Sequence, residues 1–218
     1  ILKVKEKEIS GVNVTVPFKT EVIKYLDILS LEAKSTNSVN TICLQNDKVI
    51  GHNTDIDGFR LSLGNSKFNF RDKKIFILGA GGVVPSIIFT LEKMNVSEII
   101  ISNRTKTKAE NLKKLFNNIK VVEWGEVPIF DMIINATTLG LNKNDKINLN
   151  FSKNIHDKFF YDIIYNPKET NFLKIGKKVG NKVENGKMMF IFQAAAAFNI
   201  WHKIQPNVDN EVIKLLDV

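Results

Sequence analysis

The sequence has few residues of the kinds that cross-link a chain or bind a metal. Cys43 is the single cysteine among 218 residues, which excludes an intramolecular disulfide and any zinc site built from several cysteines. The three histidines, His52, His156 and His202, lie far apart and lack the spacing of metal ligands. We therefore expect no metal site, and we expect a reducing compartment, the cytoplasm.

Long apolar runs are also missing. No stretch approaches the roughly 20 residues of a membrane span, and no secretion signal is recognisable. The hydrophobic share of 44% and the charged share of 25% are ordinary for a globular protein of one large or two small domains. The net charge of +8 would suit an anionic partner, but the lysines are spread along the chain and no nucleic-acid-binding module is recognisable. We expect neither membrane nor nucleic acid as a partner.

Three regions differ in pattern. Residues 1–64 mix short apolar runs with turn signals, residues 65–186 alternate strand and helix, and residues 187–218 are typical of helices. The middle region contains five candidate strands: Lys74–Leu78, Glu98–Ser102, Lys120–Glu123, Asp131–Asn135 and Phe159–Ile163. The predicted helices are Val83–Met94, Thr105–Phe116, Met188–Ile204 and Val208–Val218, and Asn142–Asp157 has the composition of a solvated loop. This alternation predicts an α/β fold with a doubly wound parallel sheet.

A glycine cluster follows the first of these strands and precedes a predicted helix. In Gly79-Ala80-Gly81-Gly82-Val83, the first glycine permits a tight turn, and Gly81 lets the backbone approach a pyrophosphate at the helix N-terminus. Val84 stands where a third glycine is usual. The cluster predicts a dinucleotide site, and the alternative is a plain tight turn between strand and helix.

The end of the second strand indicates which dinucleotide would bind. An NAD site usually has an acidic residue there, but this chain has Asn103-Arg104-Thr105, followed by Lys108. A guanidinium can bind a 2′-phosphate through two parallel hydrogen bonds, whereas a carboxylate would repel it. The pattern predicts a preference for NADP. The alternative is a solvated basic start of a helix.

A polar group of residues occurs near the beginning of the chain. The segment from Gly11 onward predicts a strand with Val12, Val14 and Val16 on one face and Asn13 and Thr15 on the other. Pro17 suits the first position of a helix, which would put Lys19 in the first turn, where a cation is disfavoured. A lysine held against its local field is a candidate acid–base group. The alternative is a surface lysine balanced by Glu21.

A predicted hairpin around Asn46-Asp47, with strands Thr41–Leu44 and Lys48–His52, adds a carboxylate. Its register places Asn40 opposite Asn53, so that Asn40 and Asp55 would be neighbours. Asp55 beside Lys19 would form a pair able to pass a proton to a substrate oxygen. The alternative is that Asp55 only begins a helix, and Thr54 with Asp57 resembles a capping box.

These motifs together resemble those of the shikimate dehydrogenase family. The matching segments are Asn13–Lys19, Asn40-Thr41, Asn53–Asp55, Gly79–Gly82, Asn103–Thr105, Asn135–Thr137, Tyr161–Pro167 and Gln193–Ala195. The resemblance implies a Rossmann-type cofactor domain inserted into a smaller α/β substrate domain, to which the C-terminal helices return. It implies NADPH-dependent, reversible reduction of 3-dehydroshikimate to shikimate in aromatic amino acid biosynthesis. The protein would act on this small molecule as a monomer or homodimer.

The resemblance also implies roles for individual residues. Lys19 and Asp55 match the family's catalytic pair. Residues that match its substrate-binding positions are Asn13, Thr15, Lys19, Asn40, Asp55, Tyr165 and Gln193. Residues that match its cofactor-binding positions are Gly79, Ala80, Gly81, Gly82, Val83, Asn103, Arg104, Thr105, Lys108, Ala136, Thr137, Ile163 and Gly186. Without the resemblance, Gln193 would be interpreted as a surface glutamine on an Ala-rich core helix.

Two departures from the family pattern stand out. The family's Ser-x-Ser segment, which binds the substrate carboxylate, is absent upstream of Asn13. We expect it to precede Ile1 in a longer protein, and the alternative is that the protein has lost this substrate contact. Lys108 stands where many relatives have a second arginine, so we expect weaker 2′-phosphate binding that persists through Arg104. The alternatives are an NAD-dependent quinate/shikimate dehydrogenase and a non-catalytic, dinucleotide-binding regulator.

Overall fold

The computed structural model describes residues 1–64, 66–142, 144–151 and 155–216. The chain forms two compact units. Unit 1 consists of Ile1–Asn65, Pro85–Thr90 and Met188–Val218, and unit 2 consists of Ser66–Val84 and Leu91–Lys187. The sequence of unit 2 is therefore inserted into that of unit 1.

The secondary structure of the described residues alternates between short strands and helices. The strands are β1 (Gly11–Asn13), β2 (Ile28–Leu29), β3 (Thr41–Gln45), β4 (Lys48–His52), β5 (Lys74–Leu78), β6 (Glu98–Ser102), β7 (Ile119–Val122), β8 (Met132–Asn135), β9 (Phe159–Asp162) and β10 (Lys182–Glu184). The α-helices are α1 (Leu2–Lys5), α2 (Leu31–Thr36), α3 (Asp55–Gly64), α4 (Val84–Lys93), α5 (Lys106–Leu112), α6 (Asn171–Lys178), α7 (Lys187–His202) and α8 (Asn210–Lys214), and a 3₁₀ helix spans Glu21–Tyr25. None of these helices is both long and apolar enough to cross a membrane.

Unit 1 is built on a mixed sheet with the order β1-β3-β4-β2. The predicted hairpin is confirmed: Thr41 pairs with His52, and both residues of the Asn46-Asp47 turn have positive φ, as a tight hairpin turn requires. The core beneath the sheet contains Val4, Val22, Ala33, Val39, Ile42 and Val49. The register carries Asn40 to the end of the hairpin beside the start of α3.

Helix α7 packs against the same sheet. The Trp201 Nε1 donates a hydrogen bond of 2.9 Å to the carbonyl oxygen of Ile42 in β3. A side chain at Gly11 would overlap the Trp201 ring, so the small residue in β1 lets the indole reach the strand backbone. Helix α7 also lies against α3, where a side chain at Gly58 would come within 2.6 Å of the Met189 carbonyl oxygen.

Unit 2 contains a parallel sheet with the order β10-β9-β8-β5-β6-β7. This is the doubly wound order of a Rossmann-type fold, and it confirms the predicted fold class. The central strands are buried on both faces, as parallel strands covered by helices must be. Their order places the switch point between β5 and β8, at whose carboxyl ends the ligands of such folds bind.

Several sequence-based boundaries were wrong. The sheet has a sixth strand, β10, which was missed because three residues with one apolar member carry no strand pattern and are ordered by pairing with β9. Val16 is 66% exposed and does not share the inward face of Val12 and Val14. The last predicted helix is short: α8 starts after Asp209, whose carboxylate accepts from the Glu211 and Val212 amides, and ends at Lys214. Residues 217 and 218 lie outside the described residues.

The tract predicted as a solvated loop is partly buried. Ile147 and Ile155 are buried, and Leu149 and Phe151 pack on the apolar core of unit 2. Polar residues dominate the composition of the tract, but the apolar side chains between them anchor it to the sheet. Lys143 and residues 152–154 of this tract lie outside the described residues.

The close contact between α3 and α7 gives a first prediction. Gly58→Ala should lower the free energy of unfolding by up to about 2 kcal/mol net, because displacing the Met189 backbone for the new methyl group costs about 1–3 kcal/mol. This loss outweighs the roughly 1 kcal/mol that alanine gains over glycine in a helix. Gly64→Ala in the same helix is the control, because no described atom lies within 4 Å of its added methyl. Equal urea midpoints for the two variants would contradict the packing argument.

Candidate active site

A lysine and an aspartate form an ion pair in unit 1. Lys19 lies in the turn between β1 and the 3₁₀ helix, and Asp55 is the first residue of α3. The Lys19 Nζ lies 2.5 Å from the Asp55 Oδ2, with 11% and 9% of the two side chains exposed. Taking two charges out of water is costly unless they are paired and hydrogen-bonded. The pair therefore depends on the polar groups around it.

Asn40 provides those groups and orients Asp55. Its Nδ2 donates to the Asp55 Oδ1 at 2.8 Å and to the Thr54 Oγ1 at 3.0 Å. Its Oδ1 accepts from the Thr54 backbone amide at 2.8 Å and from the Thr41 hydroxyl at 3.0 Å. The predicted neighbourhood of Asn40 and Asp55 is confirmed. Thr54 and Asp57, which resemble a capping box in sequence, have other partners: the Thr54 hydroxyl bonds to Asn40, and the Asp57 carboxylate accepts from Arg60.

The other polar residues predicted around the pair differ in their placement. The Asn13 Nδ2 donates to the Asn40 carbonyl oxygen and to the Thr41 hydroxyl, both at 3.2 Å. Thr15 is exposed beyond the end of β1, and the Gln193 Nε2 donates to the Phe190 carbonyl oxygen one turn earlier in α7. In the described part of the chain, neither Thr15 nor Gln193 has a hydrogen bond to Lys19 or Asp55. Tyr165 follows β9 in unit 2.

The helix predicted to start at Pro17 does not form, so Lys19 is not in a helical first turn. Residues 16–20 form turns, and helical structure begins only at Glu21. The Lys19 carbonyl oxygen accepts from the Val39 amide at 2.9 Å, so it is engaged in a long-range bond that no sequence pattern predicts. The helix-field argument for Lys19 was therefore wrong, and its position depends on Asp55.

The glycine turn of unit 2 has the geometry that its sequence predicts. Gly79 has a φ of 112°, and a side chain there would come within 2.7 Å of the Ala136 carbonyl oxygen. A side chain at Gly81 would meet nothing within 4 Å among the described residues, so the backbone is open to a ligand there. Val84, which replaces the usual third glycine, is fully buried in the first turn of α4.

A cavity of about 450 Å³ lies beside this turn, at the carboxyl ends of the central strands. Most of the residues predicted to bind the cofactor line it: Gly79, Ala80, Gly81, Asn103, Arg104, Thr105, Lys108, Ala136 and Thr137. Gly82, Val83, Ile163 and Gly186 lie outside the lining. Gly186 is buried against the Ile163 backbone, where a side chain would overlap the carbonyl group.

Five further residues line the cavity but were not predicted from the sequence: Trp124, Thr138, Leu139, Lys146 and Asn148. Trp124 follows β7, and the others follow β8. The carboxyl ends of neighbouring parallel strands meet at one edge of the sheet, so the segments after β7 and β8 could have been included. Lys146 and Asn148 lie at this edge of the sheet because Ile147, between them, is buried.

The cavity is positively charged. Arg104, Lys108 and Lys146 are exposed at its lining, and none of them pairs with a carboxylate among the described residues. The neighbouring Lys106, by contrast, is paired with Glu123. Such a wall suits an anionic ligand with more than one phosphate, and a guanidinium can bind a phosphate through two hydrogen bonds. The donor set and the open glycine turn fit NADP.

A buried carboxylate lies at the end of β9 in the same unit. Asp162 is completely buried, and burial raises its pKa to about 6, against the hydrogen bonds from Thr170, Ile164 and Asn135 that favour the ionised form. Thr170 donates to one oxygen at 2.6 Å, and the Ile164 amide and the Asn135 side chain each donate to the other at 3.0 Å.

Two known protein families match separate segments of the chain. Residues 1–42 match the family described as shikimate dehydrogenase substrate binding domain, and residues 62–171 match the family described as shikimate / quinate 5-dehydrogenase. A shikimate dehydrogenase (NADP(+)) from Pelagibacter ubique (strain HTCC1062) is 56% identical over 218 residues, which are 100% of this chain and 82% of that protein.

Solved structures of similar proteins share the fold. The crystal structure of shikimate dehydrogenase from Aquifex aeolicus matches with a TM-score of 0.88 and 36% identity over 99% of this chain and 80% of that one. The shikimate 5-dehydrogenase of Thermus thermophilus, solved in complex with NADP(H) and shikimate, matches with a TM-score of 0.85 and 29% identity over 98% and 81% of the two chains.

The buried Asp162 predicts a pH dependence of stability. Its pKa in the folded protein lies above the usual value of 3.8, so the folded state holds the proton more tightly, and stability falls as the pH rises from about 4 to about 6. Asp162→Asn removes this loss. The stability of the variant relative to the parent should therefore rise by up to about 3 kcal/mol between pH 4 and pH 7, measured by urea unfolding.

Asp145 provides a control of opposite sign. Backbone hydrogen bonds from Asn142 and Gly140 lower its pKa, so its contribution to stability is present at neutral pH and lost as the pH falls. Asp145→Asn should thus lose stability relative to the parent at pH 7 and less at low pH. Identical pH profiles for the two variants would contradict the assignment of Asp162.

Proposed function

This chain belongs to the shikimate dehydrogenase family, and we propose that it catalyses the reversible, NADP-dependent reduction of 3-dehydroshikimate to shikimate in aromatic amino acid biosynthesis. The observation that carries the proposal is the buried Lys19–Asp55 ion pair, with Asn40 holding the second carboxylate oxygen. The name of the 56% identical relative supports the same enzyme and the same cofactor.

Lys19 would be the acid–base group. Reduction of a ketone leaves charge on its oxygen, and an ammonium beside that oxygen both stabilises the charge and supplies the proton. Asp55 keeps the ammonium in place, since its Oδ2 accepts from the Lys19 Nζ while its Oδ1 is held by Asn40. In the oxidative direction, Lys19 would take the proton from the alcohol.

The residues that match the family's substrate positions would hold the substrate. Asn40 and Asn13 already form one hydrogen-bonded group with the pair. We assign substrate binding to Asn13, Thr15, Lys19, Asn40, Asp55, Tyr165 and Gln193. Residues 1–64 and 187–218 would then form the substrate domain.

Residues 65–186 would form the cofactor domain. NADP donates or accepts the hydride when bound, and the protein contributes binding and orientation. The open backbone at Gly81 and the start of α4 would hold the pyrophosphate, and Arg104 with Lys108 would hold the 2′-phosphate. Asn103 shapes this loop by donating to the Thr105 carbonyl oxygen at 2.7 Å. Ala136 and Thr137 would contribute from the end of β8, and we retain Gly82, Val83, Ile163 and Gly186 as further cofactor positions.

We also propose the setting in which the enzyme works. It would act on a small molecule in the cytoplasm, as a monomer or homodimer, without a nucleic-acid partner. The net charge of +8 is consistent with an anionic substrate and cofactor.

Loss of the ion pair should abolish most of the turnover. With NADPH and 3-dehydroshikimate as substrates, Lys19→Ala should lower kcat by about 10²–10⁴-fold, because general acid catalysis is lost. Asp55→Asn should also lower mainly kcat, because Lys19 loses its ionic partner. NADPH oxidation, followed by the absorbance of the reduced nicotinamide, gives both kcat and KM.

Lys24→Ala is the matched control, an exposed lysine of the same unit whose Nζ lies 5.0 Å from the Tyr25 ring centroid. It should keep the parental kcat and KM. Near-parental turnover in Lys19→Ala would sink the catalytic assignment. NADPH binding by the parent without any oxidation of NADPH would instead favour the non-catalytic regulator.

Arg104 should determine the choice of cofactor. Arg104→Ala should raise the KM for NADPH by about tenfold or more and leave that for NADH nearly unchanged, because NADH has no 2′-phosphate to lose a contact. Lys106→Ala is the neighbouring control, since Lys106 is already paired with Glu123, and its effect should be small. Equal effects of Arg104→Ala on both cofactors would favour the NAD-dependent alternative.

A further inference from the structure

The described hydrogen-bond donors to the Asp162 carboxylate are all neutral. Among the described residues, no lysine, arginine or histidine nitrogen lies within ion-pair distance of its carboxylate, although the side chain is fully buried. A buried charge without a counter-ion is costly for folding, and its pKa is raised accordingly. Buried ionisable groups that are retained despite such a cost in folding free energy are common at functional sites. The hydrogen bonds of Asp162 indicate its role.

The carboxylate is joined to Asn135 across two neighbouring strands. Asn135 and Asp162 are directly paired in the register of β8 and β9, at the carboxyl ends of both strands. The Asn135 Nδ2 donates to the Asp162 Oδ1 and to the Leu139 carbonyl oxygen, each at 3.0 Å. Both hydrogens of the Asn135 amide are therefore used, one by the carboxylate and one by the next turn.

The Asn135 oxygen holds the turn that lines the cofactor cavity. Its Oδ1 accepts from the Thr137 amide at 3.1 Å and from the Thr137 hydroxyl at 2.7 Å. The Thr137 Oγ1 in turn accepts from the Leu139 amide at 3.0 Å. Thr137, Thr138 and Leu139 all line the cavity. A chain of hydrogen bonds thus runs from Asp162 through Asn135 to the cavity wall.

An ionised carboxylate is suited to this position because it only accepts hydrogen bonds. Asn135 must turn its Nδ2 towards Asp162, and its Oδ1 is then left facing Thr137. The second carboxylate oxygen accepts from Thr170, whose own oxygen accepts from the Leu173 amide at the start of α6. The carboxylate thereby determines the direction in which the Asn135 amide and the Thr170 hydroxyl donate their hydrogens.

We infer that Asp162 is a positioning residue for cofactor binding: it orients Asn135, which holds the Thr137–Leu139 turn in the shape that receives NADP. The inference rests on the proposed function for the identity of the ligand. Asp162 itself does not line the cavity, so its effect on the cofactor must pass through Asn135.

The test compares Asp162→Ala, Asn135→Ala and the double variant, with the KM for NADPH, the KM for 3-dehydroshikimate and kcat as readouts. Asp162→Ala should raise the KM for NADPH by about tenfold, with a smaller change in the KM for 3-dehydroshikimate. If Asp162 acts through Asn135, the double variant should be no more than about twofold worse than Asn135→Ala alone, because coupled residues are non-additive.

Two further variants separate positioning from loss of stability. Asp162→Asn keeps acceptors for Asn135 and Ile164 and should stay within about threefold of the parental KM for NADPH. Phe172→Leu, in the buried core of the same unit and outside the cavity lining, destabilises without touching the network and should leave this KM unchanged. If Asp162→Ala does not fold, Asp162→Ser takes its place, with the same expected rise.

Direct titration with NADPH, followed by the fluorescence of the reduced nicotinamide, distinguishes this inference from the proposed function. If the parent binds NADPH but does not reduce 3-dehydroshikimate, the proposed function fails, and the dissociation constants still test Asp162. A parental dissociation constant in Asp162→Ala or Asp162→Ser would overturn the inference. So would additive effects in the double variant, or an equal rise in Phe172→Leu.

Discussion

The structure of unit 1 depends on how one buried amide is satisfied. Asn40 is hydrogen-bonded to Asp55, Thr54 and Thr41, and these bonds join the end of the β3–β4 hairpin to the start of α3. Because its two hydrogens and its oxygen are all used, the orientation of Asp55 is determined on one side, and Lys19 completes it on the other. The turn at Asn46-Asp47 thus sets the hairpin register that places Asn40, and Asn40 orients the Asp55 carboxylate of the ion pair.

A similar arrangement occurs in unit 2, where Asn135 joins two strands to a turn. In both units an asparagine at a strand end accepts from a following backbone amide and donates to a carboxylate. The difference lies in the charge balance: Asp55 has the Lys19 ammonium, whereas the donors to Asp162 in the described part of the chain are neutral. An aspartate paired with an ammonium suits proton transfer, and one surrounded by neutral donors suits the orientation of a neighbouring amide.

Close backbone approach is the second recurring constraint. Gly58 brings α3 against α7, Gly11 admits the Trp201 ring, and Gly79 lets the end of β5 meet the Ala136 carbonyl group. A methyl group at any of these positions would have to displace backbone or a packed ring. The elements that carry the candidate site residues are therefore positioned by the absence of side chains as well as by their contacts.

Local patterns in the amino-acid sequence were enough to determine the α/β class, the doubly wound sheet, the hairpin register and the glycine turn, because each depends on periodicity or on turn chemistry within a few residues. Tertiary structure decided the rest. Residues 16–20 form no helix because the Lys19 carbonyl oxygen bonds to Val39, the strand at Lys182–Glu184 exists through pairing with β9, and Lys146 reaches the cavity because Ile147 is buried. These features depend on partners far away in the sequence, and no local preference specifies which distant group satisfies a given backbone or apolar atom.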